Sequence, residues 1–332
     1  MRGRYLAIDL FSGAGGFSRG FELAGFNVVA AVENDPPVAK TYKANFPETY
    51  LIADDIKDVS EPTIKDVSGY GRGDVDVVIA SPPCEPFTPT NRRRMQDPVD
   101  RILSDPIGQL YLHAIRLIGE LKPKYFVIEN VSGVAEGPIR KVIEDELRRS
   151  GYDEVYFNII RSEKYGAPNE RVRAFVSNVQ LKLRESRPIT VEEALKGLPE
   201  PGSPWPPNHD YPQPLSRRLE RKVSRIGWGR AMITFEGADS RRFRNFIRLN
   251  PKRPAPTVMG SSRFIHPYED RLLTVREQAR LMGFPDYHLF LGGRDSQYNM
   301  VGEAVPVPLA KNIAEFLLTL LDNEGRGFGR DG

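Results

Sequence analysis

The sequence predicts an α/β protein: a doubly wound, mostly parallel sheet, followed by a second, smaller and basic domain. Three observations predict it. Short apolar runs alternate with helical patterns through the first half, as successive strand–helix–strand units require. Five of those runs in a row end in a polar group: Asp9 beside a glycine turn, Glu33, Asp55, Cys84 and Glu129. Residues 181–253 hold 16 Lys and Arg against 8 Asp and Glu, a net +8 within an overall +3, which leaves the rest of the chain at −5. Ligands of doubly wound sheets bind outside the carboxyl ends of the strands, so the five polar groups are expected to face one crevice.

The first run (YLAIDL, 5–10) leads into Phe11-Ser12-Gly13-Ala14-Gly15-Gly16-Phe17, read as strand, glycine turn and a helix over about 18–24 closed by Gly25. Such glycines let backbone N–H groups approach a ligand closely. The spacing is not the G-x-G-x-x-G of dinucleotide enzymes, because Ser18 stands where the third glycine would fall. The second strand (27–32) ends in Glu33-Asn34-Asp35. Glu33 lies 20 residues after Gly13, the separation at which a carboxylate can meet ribose hydroxyls. Asp35 caps a helix opened by Pro36-Pro37. A third strand (50–53) ends in Asp54-Asp55-Ile56, placed to meet an adenine amino group.

The fourth strand (74–80) runs into Ser81-Pro82-Pro83-Cys84-Glu85-Pro86-Phe87-Thr88. Two prolines stiffen the turn that presents the only cysteine of the 332 residues. A loop bearing Arg92, Arg93 and Arg94 follows, read as a lid or a phosphate contact. A helix over 107–121 and a fifth strand (124–128) lead to Glu129-Asn130-Val131.

Composition narrows the function further. Hydrophobic content of 40% and charged content of 27% fit a globular protein, and no apolar run approaches the roughly 20 residues that cross a bilayer. The strand-like run beginning at Tyr5 leaves no room for a secretory signal. One cysteine excludes an internal disulfide framework, and a thiolate nucleophile calls for a reducing compartment, the cytoplasm. One Cys and four scattered His argue against a metal site.

After strands near 155–160 and 173–176 the composition shifts. Residues 198–214 hold seven of the 28 prolines and read as irregular linker. Residues 216–253 interleave Trp228, Phe235, Phe243 and Phe246 with arginines, densest at Arg241, Arg242 and Arg244; this suits a polyanion partner. Thr274 to Glu277 form a capping box, an amphipathic helix spans 309–321, and the Gly- and Arg-rich tail from 323 reads as disordered.

Taken together, these segments resemble the cytosine carbon-5 methyltransferases that use S-adenosylmethionine. The resemblance runs over nearly the whole chain: DLFSGAGGF (9–17), ENDP (33–36), ADDI (53–56), SPPCEPFT (81–88), ENV (129–131), YGAPNERVR (165–173), RPAPTV (253–258), LTVREQARLMGFP (273–285) and VGEAVPVPLA (301–310). It implies that Cys84 adds to carbon 6 of cytosine, that Glu129 holds and protonates ring nitrogen N3, and that Arg173, with Arg171, stabilises charge on the exocyclic oxygen. It implies a cofactor site of Asp9, Phe11, Gly13, Ala14, Gly15, Gly16, Phe17, Glu33, Asn34, Asp55, Ile56, Pro83, Glu303 and Ala304. Arg92, Arg93, Arg94, Arg241, Arg242 and Arg244 would contact nucleic acid, and no metal is implied.

The expected division is a catalytic cofactor-binding part (1–180), a small target-recognition part with its proline-rich entry (181–272), a segment returning to the catalytic part (273–322), and the tail (323–332). The expected partner is duplex DNA, with the target cytosine flipped out of the helix. A companion restriction endonuclease and a monomeric state go with that reading. The alternative is a tRNA cytosine-5 methyltransferase, which the chain resembles at SPPC-x-PFT and at Pro168, Asn169, Arg171 and Arg173. A non-catalytic DNA-binding paralogue is a third reading, opposed by the presence of Cys84 and Glu129. Three positions depart from the family's usual residues: Glu85 and Asn169 each stand where glutamine is common, and Glu303 follows Gly302 where asparagine is usual.

Overall fold

A computed structural model describes residues 4–327. Seven strands form the main sheet: β1 (Leu6–Leu10), β2 (Asn27–Val32), β3 (Tyr50–Ile52), β4 (Val77–Ala80), β5 (Tyr125–Asn130), β6 (Tyr156–Arg161) and, after the two-residue β7 (Asn169–Glu170), β8 (Val172–Ser177). Their order is β3-β2-β1-β4-β5-β8-β6. The first five are parallel, whereas β8 runs antiparallel to both neighbours, so the sheet is mixed and mostly parallel as expected.

Alternation along each buried strand sends successive side chains to opposite faces. Ile8, Leu10, Val78 and Ile128 pack under α3 (Glu61–Ser68), α5 (Gln109–Leu121) and α6 (Gly137–Arg149), while α4 (Asp100–Leu103) lies in the segment before α5. Ala7, Val77, Ile79 and Val127 pack under α1 (Gly16–Ala24) and α11 (Val307–Gly327). The last two helices approach unusually closely, because a Cβ on Gly20 would lie 2.4 Å from the Cβ of Ala310 and one on Gly16 would lie 2.5 Å from the Val305 carbonyl. These two glycines are therefore packing requirements. Helix α2 (Pro36–Asn45) begins as expected, with Asp35 accepting from the Val38 N–H at 3.2 Å.

A second, smaller body is built on a three-stranded sheet of β9 (Ala231–Glu236), β10 (Arg242–Arg248) and β12 (Phe264–Ile265), with β10 central. The short β11 (Ala255–Pro256) pairs with β7. Its core joins Ile247, Leu249 and Phe264 to α7 (Val191–Leu195), α9 (Val275–Leu281) and α10 (Arg294–Glu303). Helix α8 (Arg217–Val223) follows the proline-rich stretch. The capping box opens α9: Glu277 N–H donates to Thr274 Oγ1 at 3.1 Å and Thr274 N–H to Glu277 Oε2 at 2.7 Å.

Fully buried Arg276 ties the proline-rich stretch down by donating to the carbonyls of Pro207 and Pro285, each at 3.0 Å. On the other side, Asn45 brackets Leu289, accepting its N–H and donating to its carbonyl, both at 2.8 Å.

Two expectations need correction. Asn323 lies inside α11, which continues to Gly327, so the tail begins as helix; residues 328–332 lie outside the described residues. The segment Arg294–Glu324 does contain an 18-residue window apolar enough to cross a membrane, half of it buried inside the protein. Its Leu309, Ile313, Leu317 and Leu321 pack into the core beside α1, which accounts for that hydropathy.

Candidate active site

The parallel register brings the strand ends to one edge. Leu10 is opposite Val32 and Ala80, and Ala80 is opposite Ile128. The next residues along the chain, Phe11, Glu33, Ser81 and Glu129, must therefore emerge side by side. That is the crevice expected from the alternating pattern.

At the β4 end the two prolines deliver Cys84 into a tight turn whose Phe87 and Thr88 N–H groups donate to its carbonyl at 3.0 and 2.9 Å. Asn130, next to Glu129, donates from Nδ2 to the Pro82 carbonyl at 3.0 Å and so pins the turn to β5. The sequence reading gave Asn130 no role, although its place in Glu-Asn-Val was a usable signal.

Burial pushes the Cys84 thiol up to about 11, against the pull of Arg173; Glu85 and Glu129 push it further. A thiol ionises as pH rises towards its pKa, so it is protonated at neutral pH in the free protein. Alkylation of the single cysteine by iodoacetamide should accelerate about tenfold per pH unit from pH 7 and level off only above pH 10. A plateau below pH 8.5 would contradict this.

Glu129 is buried, and its Oε1 lies 3.0 Å from Nε of Arg173, with the side chains 8% and 15% exposed. The contact lacks hydrogen-bond alignment, and that oxygen has no other partner among the described residues. Cys84, Glu129 and Arg173 thus form one cluster.

Arg171 differs from Arg173 in what it bonds, although its charge acts on Cys84 and Glu129 as well. It is buried behind the cleft and its Nη1 donates to the carbonyls of Val258 (2.7 Å) and Gly302 (2.9 Å), which makes it a tie between elements. Burial, and then Arg173, lower its pKa to about 9. Asn169 is likewise structural: it donates to the Leu281 carbonyl at 2.6 Å and accepts from Ser162 Oγ at 3.1 Å. The amide's polar atoms are satisfied within the fold.

Around the glycine turn the expected residues divide. Glu33 accepts the N–H of Gly13 (3.0 Å) on one oxygen and of Asp35 (2.8 Å) on the other, and burial raises its pKa. Gly13 has φ 55°, and a Cβ there would meet nothing within 4 Å, so the space on its side-chain side is open while its N–H is held by Glu33. Phe11 adopts φ 58°, a strained conformation for an aromatic residue at the strand exit.

Gly15 and Gly16 have packing reasons instead: a Cβ on Gly15 would strike the Phe46 ring at 2.1 Å, and Gly16 abuts Val305. The Phe17 ring turns into the core against Phe21 and Phe175, so it does not face the crevice. Asp9 is wholly buried, accepts from Ser18 Oγ at 2.5 Å and is pushed up to about 7 by that burial. Its carboxyl orders the turn from beneath.

Ala14 is buried, and its carbonyl accepts from His288 Nε2 at 2.8 Å; burial lowers that imidazole to about 3. Because a carbonyl can only accept, Nε2 carries the proton. Nothing in the sequence signalled His288, which is 274 residues away.

Further along the edge, Asn34 is exposed, Asp55 half-buried with its carboxylate on the Lys57 N–H (3.0 Å), and Ile56 buried in the core. Pro83 and Ala304 are half-buried at the crevice. Although much of Glu303 is exposed, partial enclosure of its carboxyl and, after it, the charge on Glu85 push it up to about 6. The two acidic departures therefore sense each other.

Arg92 and Arg93 are exposed; Arg94 is half-buried and donates to the Phe87 carbonyl at 3.3 Å. Arg241, Arg242 and Arg244 are exposed at and along β10. The two groups are brought together, because Ala238 N–H at the hairpin turn donates to the Pro89 carbonyl at 2.7 Å. A cavity of about 540 Å³ between α5 and α6 is lined by Arg72, Arg116 and Lys122 and lies away from this edge.

Fold and site define a Rossmann-like transferase with a thiol held beside a nucleotide-type crevice. The sequence matches the C-5 cytosine-specific DNA methylase family over residues 5–319. The chain belongs to that family, whose members use S-adenosylmethionine to methylate DNA at carbon 5 of cytosine. It is 44% identical to a protein of Methanocaldococcus jannaschii assigned as the type II methyltransferase M.MJ0563P, over 93% of this chain and 97% of the relative. It is 33% identical to the type II methyltransferase M1.HphI of Haemophilus parahaemolyticus, over 96% and 87%. Among solved structures, a DNA modification methyltransferase from an Escherichia coli prophage superposes with TM-score 0.75 at 28% identity, covering 96% of this chain and 99% of that one. Spodoptera frugiperda DNMT2, at 19% identity and TM-score 0.66 over 95% and 99%, shares the fold.

Proposed function

We propose that Cys84 is the nucleophile of DNA cytosine methylation, with Glu129 and Arg173 acting on the same base. The observation that carries this is their convergence at adjacent strand ends, with Glu129 and Arg173 3.0 Å apart. Carbon 5 of cytosine is a weak nucleophile. Addition of the Cys84 sulfur to carbon 6 breaks the 5,6 double bond and moves its electron pair to carbon 5. Glu129 donates a proton to N3 as charge builds there, and Arg173 stabilises the exocyclic oxygen. Loss of the carbon-5 proton to solvent then expels the Cys84 thiolate, and return of the N3 proton to Glu129 restores the neutral aromatic ring. The raised thiol suits a nucleophile that ionises only when base and cofactor complete the site.

The crevice fits S-adenosylmethionine. Glu33, anchored by two N–H groups, keeps lone pairs for ribose hydroxyls; the open side of Gly13 leaves room, and the buried Ser12 Oγ, without a partner among the described residues, a polar group, for the amino-acid end; Asp55, past the end of the neighbouring strand, would meet adenine. When bound, S-adenosylmethionine supplies a methyl electrophilic enough for the activated carbon 5 to take.

A base stacked in a duplex cannot reach this edge, so the target cytosine is flipped out. The arginines of the 92–94 loop and of β10 flank the approach and suit phosphates on either side of it. In this reading residues 181–272 recognise the target and 273–322 return the chain to the crevice. The type II relatives support a restriction–modification setting with a companion endonuclease, in a reducing cytoplasm.

The test is transfer of labelled methyl from S-adenosylmethionine to duplex DNA and, in parallel, to mixed tRNA. Label in DNA with none in tRNA is expected; label in tRNA alone would overturn the substrate assignment.

A further inference from the structure

Besides the Ala238–Pro89 contact, a short loop, residues 258–263, joins the recognition sheet to the catalytic cleft, and one side chain holds its far end. Asn245 on β10 uses its whole amide on main chain. Its Oδ1 accepts the N–H of Phe246 at 2.8 Å and of Arg263 at 2.9 Å, and its Nδ2 donates to the Ser261 carbonyl at 3.0 Å. Phe246 is held at φ 52°, left-handed backbone that an aromatic side chain rarely adopts, in the middle of a strand. Conformations of this kind persist only where the surroundings enforce them. Asn245 is what enforces this one.

The near end of the loop is fixed to the catalytic body. Arg171 Nη1 bridges the carbonyls of Val258 and Gly302, and a Cβ on Gly302 would lie 2.1 Å from the Met259 carbonyl carbon, so α10 and the loop are in backbone contact. Arg171 is two residues before Arg173 on the same chain segment, and Arg173 pairs with Glu129. The middle is stiffened by Arg263, which donates to Gly260 (3.1 Å) and Ser262 (2.9 Å) and reaches Asp295 on α10 at 2.6 Å. A hydrogen-bonded path therefore runs from β10, where Arg242 and Arg244 are exposed, to the strand that carries Arg173.

We propose that Asn245 is a positioning residue that couples engagement of DNA by the recognition sheet to assembly of the catalytic cluster through the 258–263 loop. This rests on the reading that β10 contacts DNA. It assigns Asn245 to turnover and leaves DNA affinity to its exposed neighbours.

The test compares full-length Asn245→Ala, Asn245→Asp and Arg242→Ala with the wild type. The readouts are methylation of unmethylated bacteriophage lambda DNA, giving kcat and KM for DNA, calorimetric binding of S-adenosylhomocysteine, and melting temperature. Asn245→Ala should lower kcat about tenfold at nearly unchanged KM and S-adenosylhomocysteine affinity, within the coupling range such networks show. Asn245→Asp keeps both accepted bonds but sets a carboxylate oxygen against the Ser261 carbonyl where the amide donated, so its kcat should fall by at least about threefold. Arg242→Ala should do the reverse, raising KM with kcat kept. A raised KM with intact kcat in Asn245→Ala, or a loss of turnover matched by lost S-adenosylhomocysteine binding, would overturn the proposal. Should Asn245→Ala fail to fold, Asn245→Asp decides, and wild-type turnover in that variant overturns it. A wild type inert on lambda DNA would sink the DNA reading and the proposal with it; an active wild type beside an equally active Asn245→Ala sinks the proposal alone.

Discussion

Cys84→Ala is expected to lower methyl transfer to DNA by at least about 10⁴-fold, the scale on which covalent nucleophiles act. The loss should fall on chemistry alone. Cys84 is half-buried in a turn shaped by Pro82, Pro83 and two N–H bonds to its own carbonyl, and alanine keeps all of these. Asn130 still holds the Pro82 carbonyl, so the turn and the crevice beside it survive. Binding of S-adenosylhomocysteine by calorimetry should therefore stay within about threefold of wild type, and melting temperature should hardly move. Lost cofactor binding would mean that the thiol and the cofactor crevice are not the separate neighbours described above. Retained transfer would remove Cys84 from the chemistry altogether.

Glu129→Gln should have the second largest effect, with an opposite signature at the thiol. Amide for carboxyl removes the proton donor, and turnover should fall by about 10²–10³-fold. It also leaves Arg173 a partly buried cation without its counter-charge. Breaking a buried pair costs about 3–5 kcal/mol, and the open side of this one places the loss at or below the lower end. The Glu129 carboxylate is among the charges raising the Cys84 thiol, while Arg173 pulls it down. Removing that carboxylate leaves the pull of Arg173 less opposed, so the thiol titrates at lower pH. Iodoacetamide should thus label Glu129→Gln faster than wild type at pH 8 while methylation is slower. Equal or slower labelling would show that Glu129 does not act electrostatically on Cys84, and would separate the two halves of the proposed cluster.

The pH behaviour of the acidic departures follows from the same electrostatics. Glu303, pushed up to about 6, is mostly ionised above pH 7 and takes a proton as pH falls below 6. The repulsion it shares with Glu85 is thus present at neutral pH and fades in acid. Asn169, by contrast, spends its amide on Leu281 and Ser162. Its departure from the usual residue is absorbed by packing, and its substitution belongs to the fold.

What was legible in the sequence is what local physics writes locally. Alternation of apolar runs with helical patterns determined the parallel units, because a strand buried on both faces must be apolar and a crossover must be helical. Asp35 ahead of Pro36-Pro37 and Thr274 with Glu277 specified helix starts through bonds spanning three residues. Polar groups at strand ends pointed to the crevice, since strands running the same way end on the same edge, although Asp9, one of the five, is wholly buried beneath the glycine turn. Bonds between distant segments have no such local trace. Gly15 and Gly16 look like ligand-binding glycines until the Phe46 ring and the Val305 carbonyl are laid against them. Arg171 and Arg173 are equivalent in sequence, two residues apart; burial and the Val258 and Gly302 carbonyls make one a tie, and the Glu129 carboxylate makes the other part of the site. His288 under Ala14, Asn130 under Pro82 and Asn245 on the 258–263 loop have the same origin. Each is a side chain bonded to main-chain groups of another segment, and main-chain groups are the same in every residue, so no pattern of residue types marks the partner. The sequence by itself determined the layers, the crevice and the thiol at its edge; tertiary contacts decided which of the charged and glycine residues face the chemistry and which hold it in place.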